Sequence, residues 1–463
     1  MSYRQYPRGH VEQLEAQVEE LQQENAQLRV ELQLARQPLN HHAGPSTSDH
    51  TPHATEISQG EVWEDRNLVE DIGLLSLEGA SERRYVGESS GIYFGKIMQA
   101  LLPATDYKYQ HGPPHSRLSL RVERRQASRD SPATNHSAAK TDPAPIPPFE
   151  LANKLQETFF MHRWPALPFL HKPTFLERHF MPVMYLQEKA SHLSLFLTYM
   201  VFALGALDLR RQKESLMMSH LDYFHTAATL YLDGLVETDD IETVQGFLLL
   251  SVFAVNEPRS MNAWMVSGLA VRSSIDLGLH RKVESPAYNL LQLEMRKRVF
   301  WAAYAMDRNI SIALGRPLCI QDSDINVELP LPLSDQDLLS DYPLSSSSSS
   351  ASLIDMSTFI HIIKLRQLGS EIQGIFYPPN TSKCDSLPLN EDRDRIRGKL
   401  EEWMSSAPRY TSTPVATFQS IEWFQIAYNH ALLLLCRPSP ASPKATSQAL
   451  QTCADSSISL ITL

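Results

Sequence analysis

Apolar positions fall into two patterns along the chain. The first is a heptad repeat at residues 11–36, VEQLEAQVEELQQENAQLRVELQLAR, with Val11, Val18, Asn25 and Leu32 in one seam and Leu14, Leu21 and Leu28 in the other. Branched Val at a and Leu at d favour two parallel strands, and Asn25 at an a position fixes register because two buried amides pair across the seam. Glu24 with Arg29, and Glu31 with Arg36, occupy g and e positions, where a parallel partner places opposite charges together. A single amphipathic helix docked on its own domain uses the same pattern, and Pro38 ends the run in either case.

The second pattern is helical and fills the body of the chain. Asp239 and Glu242 predict a capping box ahead of GFLLLSVFAV (246–255), which is apolar nearly all round, as for a helix buried inside a domain. A further helix is predicted from about Met261 to Leu277, with Trp264, Gly268, Val271 and Ile275 on one core-facing side and Gly278 as its cap. Another starts at Gln292, carries Glu294 and Arg298 at i,i+4, and stops near Gly315 and Pro317. Helical periodicity returns near 355–375, 390–405 and 418–436, and from Lys444 onward. No alternating strand pattern competes, so the expected class is all-α: a parallel coiled coil, linkers, then a multi-helix domain.

Composition divides the chain further. Residues 1–10 read as a linker remnant and 37–69 as a polar linker without periodicity. Residues 110–148 are basic and end in Pro143, Pro145, Pro147 and Pro148, and 336–354 hold the run Ser345–Ser350. The remaining divisions are a segment at 70–109, a middle domain at 149–335 and a C-terminal helical part at 355–463. His41, His42, His50 and His53 lie in the first linker without cysteine or a second cluster to anchor a metal. The basic linker carries Arg121, Arg124 and Arg125, which read either as a nuclear-import patch or as a solvated charge run.

Charge and cysteine content restrict the chemistry. With 42 Lys+Arg against 53 Asp+Glu the formal net charge is -11, so any contact with nucleic acid has to be local. Arg4 and Arg8, beside the coiled coil, are the candidate phosphate contacts. Cys319, Cys384, Cys436 and Cys453 contain no C-x-x-C pair and write neither a disulfide scaffold nor a zinc finger. No run of eighteen apolar residues occurs, and no membrane partner is expected. The most tempting cluster for catalysis is Arg272, Asp276, His280 and Arg281. Its simpler reading is a pair between Arg272 and Asp276, with His280 beyond the cap. Asp307 and Arg308 read as a buried ion pair completed by Arg316 or a neighbouring helix. No nucleophile elbow, zincin motif or phosphate-binding loop is present in a suitable context, so an enzyme is not expected.

Three ordered blocks carry a resemblance: LPFLHKPTF (167–175), AWMVSGLAVRSSIDLGLHR (263–281), and EMRKRVFWAAYAMDR (294–308) with LGRP (314–317). Together with LLSLEGASERRYVGESSGIYF (74–94) and AYNHALLLLCRPSP (427–440), they resemble the regulatory middle domain of fungal zinc-cluster transcription factors over most of 70–455. The resemblance implies an all-α domain, nuclear localisation, homodimerisation through the coiled coil, contact with the transcription machinery and control of transcription, with a small-molecule inducer as a further candidate partner. It also implies a module in which six cysteines hold two zinc ions. None of those ligands stands ahead of the coiled coil here, so no cofactor is expected in these residues, and DNA is reached only with such a module or through a partner. The alternative is a scaffold, ligand sensor or dominant-negative dimer partner that does not bind DNA.

Overall fold

The computed structural model describes residues 145–462, except 187–188, 212–217, 259, 284–287, 340–355, 379–385 and 411–415, together with Tyr85 and residues 87–91. The coiled-coil positions, the candidate phosphate contacts Arg4 and Arg8, and the candidate import patch all lie outside the described residues.

The described residues are helical throughout their regular structure and contain no strand, in keeping with the all-α class read from the sequence. Helix α1 (Phe149–Arg163) follows the Pro-rich stretch, and Pro148 sits at its N-cap. A near-continuous run follows, made of α2 (Lys172–Phe175), a π-helical turn (Leu176–Phe180) and α3 (Met181–Tyr185). His171 caps this run by accepting a hydrogen bond from the Thr174 amide.

Helix α4 (His192–Arg211) is the axis of the first half. Its composition and length would let it cross a membrane, but 94% of its most apolar window is buried inside the protein. It packs against α1, α5 (Met218–Thr229), α6 (Leu232–Glu237) and α7 (Ile241–Asn256). A helix apolar on all sides needs neighbours on all sides, and this one has them. A buried pair, Arg163 Nε to Asp208 Oδ2 at 2.8 Å, joins the ends of α1 and α4.

The cap of α7 differs from the sequence expectation. Asp240, not Asp239, accepts hydrogen bonds from the amides of Glu242 (2.9 Å) and Thr243 (3.3 Å). The Glu242 carboxylate turns away to Arg178 (2.8 Å) and His179 (3.6 Å) on the π turn, because its side chain is buried against that run.

Helix α8 (Ala263–Asp276) ends as expected: Gly278 adopts φ 65°, and the Leu279 amide reaches back to the Ser274 carbonyl at 2.9 Å. Val271 is buried, whereas Trp264 and Ile275 are only partly buried at the edge of the core. Helix α9 (Leu290–Leu314) begins two residues before Gln292, in a capping box between Asn289 and Gln292. Glu294 and Arg298 do not pair with each other. Glu294 binds Lys297 (3.0 Å) and the Leu331 amide (2.7 Å), and Arg298 reaches Asp335 (2.6 Å) and the Leu333 carbonyl (2.6 Å). Both side chains are sealed by the loop after α9, whose polar groups offer better geometry than one turn of an exposed helix.

The second half contains α10 (Ser357–Phe376), α11 (Ser386–Ser405), α12 (Ile421–Cys436) and α13 (Ser447–Thr462). Helix α10 is the shared wall between the halves. Its Phe359 and Ile363, with Met356 at its N-cap, belong to the core built by α1–α9, whereas Leu365, Ile372 and Phe376 belong to the core of α10–α13.

Candidate functional site

Two clefts, one at each end of α9, gather buried or paired polar side chains. The first forms at the C-terminal end of α9. Gly315 stops the helix at φ 66°, and the Arg316 amide bonds back to Ser311 O at 2.8 Å. Into this end docks an upstream strap, Tyr85 and residues 87–91, from the block that reads GESSG. The Gly87 amide donates to Leu314 O (2.9 Å), Ser89 Oγ to Ile312 O (3.1 Å) and Arg316 Nε to Tyr85 O (3.0 Å). Gly87 and Gly315 meet backbone to backbone. A Cβ on Gly87 would sit 1.7 Å from Gly315 O, and one on Gly315 would sit 2.4 Å from the carbonyl carbon of Gly87. Glycine is required on both sides of this contact.

The strap also reaches the second half. Arg437, after α12, donates to Ser89 O and places its Nε 2.8 Å from Tyr377 Oη, while that hydroxyl donates to Leu434 O at 2.8 Å. Ser89 and Ser90 are buried, so the strap is part of the packed structure and not a surface tether.

Behind the strap lies a chain of buried polar contacts. The Arg316 guanidinium lies 4.9 Å from the Trp264 ring, Trp264 Nε1 donates to Ser311 Oγ (3.1 Å), and Ser311 Oγ donates to Asp307 Oδ1 (3.2 Å). Asp307 Oδ2 accepts from Arg308 (3.0 Å) and from the Cys319 amide (3.1 Å). Arg308 is fully buried. It donates to Ser370 Oγ (3.1 Å) and Ile320 O (2.6 Å), stacks 3.9 Å over Tyr304, and lies 3.5 Å from Asp322.

The Asp307–Arg308 pair read from the sequence is therefore present, but Arg316 does not join it and serves the strap instead. A buried pair whose two members are each further hydrogen-bonded to neighbouring elements fixes packing more than it adds net stability. Its Ser370 contact ties α9 to the shared helix α10.

The second cleft is shallow and lies between the loop after α8 and the start of α9, lined by Leu279, Arg281, Lys282, Arg296, Lys297 and Glu328 among others. Its lysines are spoken for: Lys297 pairs with Glu294 (3.0 Å) and Glu328 (3.4 Å), and Lys282 pairs with Glu328 (3.4 Å). Arg296 donates to Leu277 O at 2.9 Å and stacks 5.0 Å from Tyr288.

The cluster Arg272, Asp276, His280 and Arg281 is not assembled as a site. Arg272 and Asp276 are exposed and make no ion pair with each other. His280 is half-buried, and burial with the nearby Arg281 charge holds its imidazole below the usual histidine range. Burial and the neighbouring Asp307 push the Cys319 thiol up to about 12, and burial pushes Cys453 up to about 12. These thiols are poor nucleophiles and poor metal ligands at neutral pH. Among the described residues no group of three His, Cys, Asp or Glu is placed to hold a metal ion.

The strap block carries part of the family resemblance, yet its sequence assigns none of its residues a role. Its contacts run largely through backbone atoms, which leave no pattern in side-chain identity apart from the two glycines.

Comparison with known proteins places this architecture. The chain is 26% identical to the positive regulator of purine utilization of Emericella nidulans, over 86% of this chain and 45% of that protein. It is 23% identical to the pyrimidine pathway regulatory protein 1 of Saccharomyces cerevisiae, over 86% of this chain and 51% of that one. It is 26% identical to the transcriptional activator protein acu-15 of Neurospora crassa, over 100% of this chain and 50% of the other. The chain thus spans about half the length of these curated relatives. No solved structure matches. The model of the fungal specific transcription factor domain matches residues 156–405, more than half of the chain and most of its described helices, so the chain belongs to the fungal-specific transcription factor domain family.

Proposed function

We propose that this chain is the regulatory part of a nuclear, homodimeric regulator of RNA polymerase II transcription in a fungus. The observation that carries the reading is the family match over 156–405, on a helical body whose relatives include a protein named as a transcriptional activator and two named as pathway regulators. Residues 11–36 are the dimerising segment, with Val11, Leu14, Val18, Leu21, Asn25, Leu28 and Leu32 in the seams. Arg121, Arg124 and Arg125 form the import patch, and Arg4 and Arg8 contribute phosphate contacts. Sequence-selective binding to DNA is supplied by a six-cysteine module holding two zinc ions or by a partner chain, because specific readout needs side chains held rigidly in a groove.

In this reading the helical body does no chemistry on a substrate. Its buried polar contacts are consumed in holding the strap and the two halves together.

The test is to tether residues 1–463 to a heterologous DNA-binding domain upstream of a reporter in fungal cells. A several-fold change in reporter output, in either direction, is expected. Unchanged output at equal protein level would contradict the reading and favour a scaffold or dominant-negative partner.

A further inference from the structure

The turn that joins α12 to α13 reads RPSPASPK (437–444), so Ser439 and Ser442 each stand directly before a proline. Their structural roles differ. Ser439 is buried, its amide donates to Ser442 O (3.1 Å), and its hydroxyl accepts from the Ser442 amide at 3.2 Å. It belongs to the framework of the turn. Ser442 is half-buried, and Pro443 and Lys444 after it are exposed. Its hydroxyl meets α11, where it accepts a hydrogen bond from Arg393 Nη2 at 3.1 Å in a contact that is only partly buried.

Arg393 is buried, yet its other bonds go to neutral groups: Asn390 Oδ1 at 2.7 Å and, more distantly, Leu435 O at 3.5 Å. Its guanidinium lies 5.2 Å from the centre of the Phe376 ring. The acidic residues beside it on α11 are committed elsewhere, Asp392 to Arg395 and Asp394 to Arg397, each at 2.6 Å. Among the described residues no carboxylate pairs with Arg393. A second guanidinium, Arg437, opens the turn, and both arginines lie near enough to the Cys453 thiol to act on it. A buried guanidinium bonded only to neutral acceptors keeps a charge that a phosphate would neutralise.

We propose that Ser442 is a phosphorylation site for a proline-directed protein kinase, with Arg393 as the group that receives the phosphate. The γ-phosphoryl group of ATP passes to Ser442 Oγ. The new O–P bond forms as the bond from the γ-phosphorus to the β–γ bridging oxygen breaks, ADP leaves, and the hydroxyl proton goes to the base of the kinase. Because Arg393 already donates to that oxygen, the phosphate oxygens fall within reach of the same guanidinium, and exposed Lys444 adds positive charge two residues on. A charged pair then fastens the α12–α13 turn to α11 in place of a neutral hydrogen bond. The turn is neither helix nor strand. It is held by the paired backbone bonds of Ser439 and Ser442 and by the Ala441 amide on Phe376 O (3.3 Å), so the local opening that a kinase requires breaks little. The site does not depend on the transcriptional role proposed for the chain.

The experiment incubates the full chain with a cyclin-dependent kinase and magnesium ATP and maps the phosphate by peptide mass spectrometry. Phosphate is expected on Ser442 and not on Ser439. Phosphorylated and unmodified protein are then compared by melting temperature and by the pH titration of the phosphorus-31 resonance, with kinase-treated Ser442→Ala as the control that removes this one site. The Ser442 phosphate should raise the melting temperature by about 2 °C or more. It should also titrate at least about half a unit below the ordinary value of about 6, because the guanidinium favours the dianion. In Arg393→Gln, judged against its own unmodified form, both effects should vanish, whereas Arg393→Lys should keep part of each. Ser442 left unmodified in the folded chain would overturn the proposal. So would a Ser442 phosphate whose melting shift and titration are the same in Arg393→Gln as in the parent, since that phosphate would not meet Arg393.

Discussion

Single residues decide the geometry of the strap cleft. Gly278 and Gly315 both end helices at positive φ, 65° and 66°, yet their surroundings differ. A Cβ on Gly278 meets nothing within 4 Å, whereas one on Gly315 runs into the Gly87 backbone. Gly278→Ala should therefore cost only the left-handed penalty, about 1 kcal/mol. Gly315→Ala adds a clash with backbone that has no rotamer to change, for a total of about 3 kcal/mol. Denaturant unfolding of the two variants checks this, and equal costs would mean that the close approach of Gly87 and Gly315 is not maintained in solution.

Both turns are readable in the sequence, because Gly after an apolar periodic run marks a cap. The partner of Gly315 is not, since nothing local ties position 315 to the distant Gly87. The Asp307–Arg308 pair shows the same limit: two adjacent charges at the end of an apolar helix announce a buried pair. The groups that complete it, Ile320 O, Asp322 and Ser370, become neighbours only when the loop after α9 and helix α10 close over it.

At the scale of elements, legibility follows periodicity. Helices α8 and α9 are visible because their apolar positions repeat and their ends carry caps, and α7 because acidic capping residues precede its unbroken apolar run, although Asp240 displaces Asp239 and Asn289 sets the start of α9 two residues early. Helix α4 does not stand out in the sequence. Apolar nearly all round, it has no polar face to reveal a period, and only its packed neighbours explain it. Trp264 illustrates a subtler miss. Its spacing assigns it to the core, but its ring lies at the core edge, where the indole N–H can reach Ser311 and the ring face can meet Arg316.

The heptads at 11–36 are an element whose function is a proposal, and they lend themselves to a direct test. The seams place Leu21 and Leu28 where a parallel partner would bury them. Replacing both with Lys puts unpaired charge into the seam and should weaken dimerisation at least about tenfold. Sedimentation across micromolar concentrations reads the result. A parent that sediments as a monomer at every concentration, or a variant that dimerises as well as the parent, would return the segment to the role of a helix docked on its own domain.

At the scale of the whole molecule, two helical halves share α10, and the strap is fastened to both. Gly87 and Ser89 bind the end of α9 in the first half, and Arg437 in the second half holds the Ser89 carbonyl. The segment nearest the N-terminal region is thereby locked into the helical body at the junction of its halves. Amide hydrogen exchange of the peptide spanning 85–91, in the full chain and in Arg437→Leu, tests that lock most directly. Strong protection is expected in the parent, because the Gly87 and Ser90 amides are bonded and buried. In the variant, protection should fall over 85–91 and the end of α12 while α4 and α7 keep theirs. Exchange at the unprotected rate over 85–91 in the parent chain would contradict the lock.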